Sequence, residues 1–70
     1  MKRTPVANSS NIASAGCDAE TQTMEVEFTS GNVYEYFDVP QTVYEELMRA
    51  ESVGKFMNAQ VKGVYRFARL

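Results

Sequence analysis

Histidine and tryptophan are absent from these 70 residues, cysteine occurs once and proline twice. Each absence narrows the chemistry. Without histidine, the side chain that most often moves protons near neutral pH is missing. A single thiol, Cys17, cannot close a disulfide within the chain, and with no histidine there is no Cys/His set for a metal. A lone thiol fits a reducing compartment, so a cytoplasmic location is expected. No apolar run approaches the ~20 residues of a membrane span. The opening MKRTPV has two basic residues and no apolar stretch after them, which is not the pattern of a secretory signal. Glycine loops of the phosphate-binding kind are also missing, and Gly54 stands alone near a helix start.

Basic residues are missing from one long stretch. Asp18, Glu20, Glu25, Glu27, Glu35, Asp38, Glu45 and Glu46 follow one another with no Lys or Arg between them. After them come Arg49, Lys55, Lys62, Arg66 and Arg69 with only Glu51 in opposition. The split reads in two ways: two halves of one small domain that neutralise each other, or a basic face for a polyanion.

What is present is enough for one domain. A chain this short buries roughly 60% of its unfolded surface, so its stability is modest. A flexible N-terminus is expected over residues 1–8 and a single domain over 9–70, with a strand starting near Ser10. "NIASAGCD" alternates weakly, with Ile12 and Ser14 on one side and Ala13, Ala15 and Cys17 on the other. Gly16 marks a bulge or a close packing contact. "TMEVEF" alternates strongly: Met24, Val26 and Phe28 against Glu25 and Glu27, a strand buried on one face. "NVYEYF" then returns after a turn. A three-residue loop, Thr29-Ser30-Gly31, places Gly31 where a left-handed residue is needed and pairs Val26 with Tyr34 and Met24 with Tyr36. A two-residue loop would put both tyrosines on the opposite face. The three-residue loop is preferred, so Tyr34 and Tyr36 are expected on the core side.

Pro40 suits the first position of a helix. Val43, Tyr44, Leu47, Met48 and Ala50 then form an apolar stripe, and Glu45 and Arg49 stand four apart for an ion pair. Ser52 fits the N-cap of a second helix with Val53, Phe56, Met57 and Val61 inward, and Gly63 fits its end. "VYRFARL" alternates as an edge strand or an extended tail, with Tyr65 and Phe67 on one side. The fold class is therefore α+β: a three-stranded antiparallel meander, two helices on one face, and a short C-terminal fourth strand. The expected core is Ile12, Met24, Val26, Phe28, Tyr34, Tyr36, Val43, Leu47, Phe56 and Val61.

"SSNIASAGCD", "MEVEFTSGNVYEYFDVP", "VYEELMRA" and "SVGKFMN", in this order, resemble the KTSC domain family, named for the C-terminal domain of some lysyl-tRNA synthetases. Tyr34-Glu35-Tyr36, Val39-Pro40 and the segment Ser52-x-Gly54-x-Phe56-x-Asn58 carry the resemblance most specifically. It departs at Cys17, where the family pattern has a tyrosine after the glycine. The resemblance implies a small domain found both fused to a synthetase and alone in bacteria and phages. It makes RNA, tRNA-like or single-stranded, an expected partner.

Nothing in the residues specifies a reaction, and no enzyme, cofactor or metal is expected. The carboxylates fall on solvated faces, and paired catalytic carboxylates need a cleft. Two binding readings remain. For RNA, the basic side offers Lys55, Asn58, Lys62, Tyr65, Arg66 and Arg69, while Tyr34, Tyr36, Pro40 and Phe56 serve the fold. For a protein partner or a homodimer, apolar residues such as Met48, Met57, Phe67 and Leu70 would form the contact.

Overall fold

The computed structural model describes residues 2–7 and 9–70. Five strands, β1 (Thr4–Pro5), β2 (Ile12–Asp18), β3 (Thr23–Phe28), β4 (Val33–Tyr36) and β5 (Phe67–Arg69), form one sheet in the order β1-β2-β3-β4-β5. Every neighbouring pair is antiparallel. Two helices, α1 (Gln41–Arg49) and α2 (Val53–Phe56), lie between β4 and β5 in the chain.

The β3–β4 hairpin is the part the sequence specifies best. Met24 pairs with Tyr36 and Val26 with Tyr34. Gly31 sits at φ 98, and its N–H donates to the Phe28 carbonyl at 2.9 Å. This is the three-residue loop with glycine at the left-handed position. Both tyrosines therefore share the face of Met24 and Val26, as expected. Glu25, Glu27 and Glu35 lie on the other face, where Arg3 reaches Glu25 at 2.9 Å and the Ser14 hydroxyl donates to Glu27 at 2.9 Å.

β2 departs from simple alternation. Ile12 pairs with Phe28, but Ser14 pairs with Glu27, so the register shifts by one between them. That bulge puts Ile12, Ala15 and Cys17 on one face, instead of Ile12 with Ser14. Ile12 and Ala15 are both buried in the core. Gly16 answers the second alternative, close packing: a Cβ there would collide with the Lys2 carbonyl and approach the Arg3 Cα at 3.2 Å.

The three- or four-stranded expectation is corrected to five strands. The added strand comes from the segment expected to be flexible: Thr4 pairs with Ala15 and Pro5 with Ser14. Small residues on β2 let that segment approach closely. Within residues 1–8, Met1 and Asn8 lie outside the described residues.

Asp38, at φ 59, turns the chain off β4, and the next residue, Val39, is fully buried. Pro40 is the N-cap of α1 rather than its first helical residue. Leu47 is the buried anchor of α1, and the Tyr44 hydroxyl donates to the Ala15 carbonyl across to β2 at 3.4 Å. Glu45 and Arg49 do not pair: the ion pairs among the described residues are Arg3–Glu25 and Arg66–Asp38. Ser52 caps α2 by accepting from the Lys55 N–H at 3.3 Å. α2 runs without a break into a π-helical turn over Met57–Val61, closed by the Lys62 N–H donating to the Met57 carbonyl at 2.8 Å. Gly63, at φ 79, ends it.

The core consists of Ile12, Ala15, Met24, Val26, Tyr36, Val39, Leu47, Val53, Met57 and Val61. Four residues expected in it, Phe28, Tyr34, Val43 and Phe56, are only half-buried at its border. Val39, Val53, Met57 and Ala15 fill the space instead.

Candidate aromatic and basic groove

Half-burial of Phe28 and Tyr34 has a structural cause. α1 packs over β2, and Phe28 and Tyr34 border a groove on that side of the sheet. The groove, of about 480 Å³, opens between the π-helical turn and the sheet. Phe28, Tyr34 and Phe67 line one side, with Asn58 and Lys62 on the other.

The rings form one connected group. Phe28 meets Tyr34 edge-on at 5.4 Å between centroids. Phe67 leans on Tyr34 at 5.6 Å and on Tyr36 at 5.8 Å, each at 40°. The register explains this: Phe67 pairs with Tyr36 and Arg69 with Tyr34 across β4–β5. The β5 residues on the groove face are thus an aromatic ring and a guanidinium.

Cations border the rings. The Lys62 ammonium sits 5.2 Å from the centroid of Phe28, within reach of a cation–π attraction. Arg69 donates from Nη2 to the Asn32 side-chain carbonyl at 2.8 Å, which holds it beside the hairpin loop. A smaller polar depression adjoins the groove, lined by Ser9, Ser10, Asn11, Ser52, Gly54, Lys55 and Asn58. Asn58 lines both depressions and links Lys55 to Lys62.

The six residues singled out for a basic face therefore divide. Asn58 and Lys62 line the groove, Lys55 lines the adjoining depression, and Arg69 faces the same side of the sheet through its pairing with Tyr34. Arg66 points elsewhere and pairs with Asp38 at 3.0 Å, with both side chains exposed. Tyr65 is half-buried and packs against the core. Of the four residues assigned to the fold, Tyr36 is core, Phe56 packs at its border, Pro40 caps α1, and Tyr34 faces the groove. Phe67, which the basic pattern of the sequence does not mark, also lines the groove. Its alternation with Tyr65 was visible in the sequence, but its place beside Tyr34 depends on β5 pairing with β4.

Tyr36 lines the groove and Cys17 packs against the core, and both side chains are shifted from their ordinary ionisation. Burial, followed by the neighbouring Asp18 charge, pushes the Cys17 thiol above its ordinary pKa. Burial, followed by Tyr34, raises the Tyr36 phenol. A thiol held protonated and packed against the core is a poor nucleophile. Among the described residues, no helix is long and apolar enough to cross a membrane.

Comparison with known proteins matches the KTSC domain over residues 8–65. A lysine–tRNA ligase of Nostoc punctiforme is 47% identical over 53 residues, covering 76% of this chain and 9% of the ligase. The chain thus spans under a tenth of that ligase's length. An uncharacterized protein of Stutzerimonas stutzeri is 42% identical over 71 aligned positions, covering 100% of this chain and 99% of the other. The crystal structure of a KTSC domain protein from Yersinia pestis superposes with a TM-score of 0.92 at 33% identity, covering 99% of this chain and 96% of that one.

Proposed function

The chain belongs to the KTSC domain family, and from that premise we propose that it is a non-catalytic domain that binds single-stranded RNA along the groove side of α2 and β5. One observation carries this reading. Lys55, Lys62 and Arg69 collect on the side that also exposes aromatic rings, whereas Glu25, Glu27 and Glu35 collect on the opposite sheet face. A phosphate chain is drawn to the first side and repelled by the second. The match to a segment of lysine–tRNA ligases supports RNA as the partner class. Three cations imply weak binding with a salt slope near −2, at ~0.7 per phosphate neutralised on a single strand.

A titration of isotope-labelled protein with a short single-stranded RNA and with a tRNA acceptor-stem mimic, at low and moderate salt, tests this. Amide shifts gathered around Lys55, Asn58, Lys62 and Arg69 that fade with salt are expected. Shifts on the Glu25–Glu27–Glu35 face, or none at low salt, would refute it.

A second reading rests on a different observation. Val64, Phe67 and Leu70 are the exposed large hydrophobic residues among those described, and all lie at or beside β5, an edge of the sheet. A protein partner or a second copy could add a strand there. Its affinity would depend on these apolar residues and little on salt.

A further inference from the structure

A phosphate chain bound along the groove, as the RNA reading proposes, would run beside its aromatic rings. We infer that the groove holds one unpaired nucleobase, stacked on Phe67 and flanked by Lys62 and Arg69. The inference rests on that reading and adds a base subsite to it.

Phe67 is 57% exposed, although its cross-strand partner Tyr36 is 2% exposed. Its ring is nevertheless fixed, because it leans on both Tyr34 and Tyr36. A braced aromatic face left open to solvent is what a base needs to stack without first ordering the protein. The other rings are less available. Lys62 lies over Phe28, Tyr34 is wedged between Phe28 and Phe67, and Tyr36 is core. One free face implies one base.

The cations stand where a backbone leaving that base would pass. Lys62 comes from the helical side of the groove, and Arg69 is two residues beyond Phe67 on the same face of β5. In a duplex the base faces are stacked on one another, so a paired strand offers only its phosphates. The subsite therefore selects unpaired bases and gains nothing from an abasic backbone of equal charge.

The chain has no tryptophan, so Phe67→Trp supplies a single indole at the site, excited at a wavelength where the four tyrosines do not absorb. The variant would be titrated with a short oligoadenylate and with an abasic oligomer of the same length and charge. Quenching by the oligoadenylate alone is expected, along with a loss of about tenfold or more in oligoadenylate affinity for Phe67→Ala. A thermal melt checks that both variants fold, as an exposed position should allow. If the abasic oligomer binds wild type as tightly as the oligoadenylate, and Phe67→Ala is neutral, the stacking subsite is wrong while RNA binding stands. If no nucleic acid binds at low salt, both readings fail. If sedimentation shows that wild type self-associates and Phe67→Ala does not, the ring is a dimer contact and the subsite is wrong.

Discussion

Tyr36 and Phe67 face each other across β4 and β5 with ring centroids 5.8 Å apart, yet one is buried and the other largely exposed. Both rings stand on the same face of the sheet, but Phe67 belongs to the edge strand, where less of the molecule lies beside it. The two aromatic residues should therefore answer very differently to truncation. Tyr36→Ala removes a ring packed among the core residues and should cost about 3 kcal/mol or more. That is comparable with the ~3–5 kcal/mol such a small core supplies, so the variant should be largely unfolded. Phe67→Ala should cost under about 1 kcal/mol. Urea melts of the two proteins settle it, and equal losses would mean that β5 is packed as firmly as β4.

The close approach of the N-terminal strand to Gly16 makes a second prediction. Ala at this position would push into the Lys2 carbonyl, which is backbone and cannot swing aside. Overpacking of this kind costs roughly 1–3 kcal/mol. Release of β1 is the cheapest relief, because only two residues pair there. In Gly16→Ala the Val6 amide, which donates to the Ala13 carbonyl at 2.9 Å, should lose hydrogen-exchange protection. Amides of the β3–β4 hairpin should keep theirs. Val6 protection that survives the substitution would contradict the contact.

The meander, the hairpin register and both ends of the second helical segment were legible because each had two signals in agreement. Gly31 and the alternation of Met24, Val26 and Phe28 require the same loop; Ser52 and Gly63 bracket one apolar stripe. The bulge after Ile12 had no such signal, since Ala13, Ser14 and Ala15 are small residues that suit either face. β1 was hidden for a related reason: Thr4-Pro5 has little strand character, and its pairing depends on the glycine it crosses. The groove was half legible. Lys55, Asn58 and Lys62 follow from helical spacing, but the neighbours of Phe67 and Arg69 are set by long-range pairings, Tyr36 with Phe67 and Tyr34 with Arg69, 31 and 35 residues apart in sequence.

Alkaline pH should destabilise the fold. The Tyr36 phenol has its pKa raised, first by burial and then by Tyr34. Between the ordinary tyrosine pKa near 10 and the raised one, the unfolded chain has lost a proton that the folded chain keeps. The unfolded state then binds fewer protons, so stability falls as pH rises. The contribution is complete below about pH 10 and disappears as pH passes through the folded value. Cys17 acts in the same direction from a lower starting pH, because its thiol is also raised. Urea midpoints measured from pH 8 to 11 should decline, and Tyr36→Phe should flatten the upper part of that decline. An unchanged slope in Tyr36→Phe would assign the loss to other groups.

Charge position, not net charge, should govern RNA affinity. Lys62 lines the groove and lies over Phe28, whereas Arg66 is paired with Asp38 away from it. Lys62→Glu and Arg66→Glu change the protein's charge equally, so any difference between them comes from place alone. With a single-stranded octaribonucleotide, each groove cation removed should lower the magnitude of the salt slope by about 0.7. Lys62→Ala and Arg69→Ala should each show that change, and Arg66→Ala should not. Fluorescence anisotropy at four or more salt concentrations measures the slopes directly. If Arg66→Ala changes the slope as much as Lys62→Ala, the phosphates follow a path outside the groove, across the Asp38 side of β5.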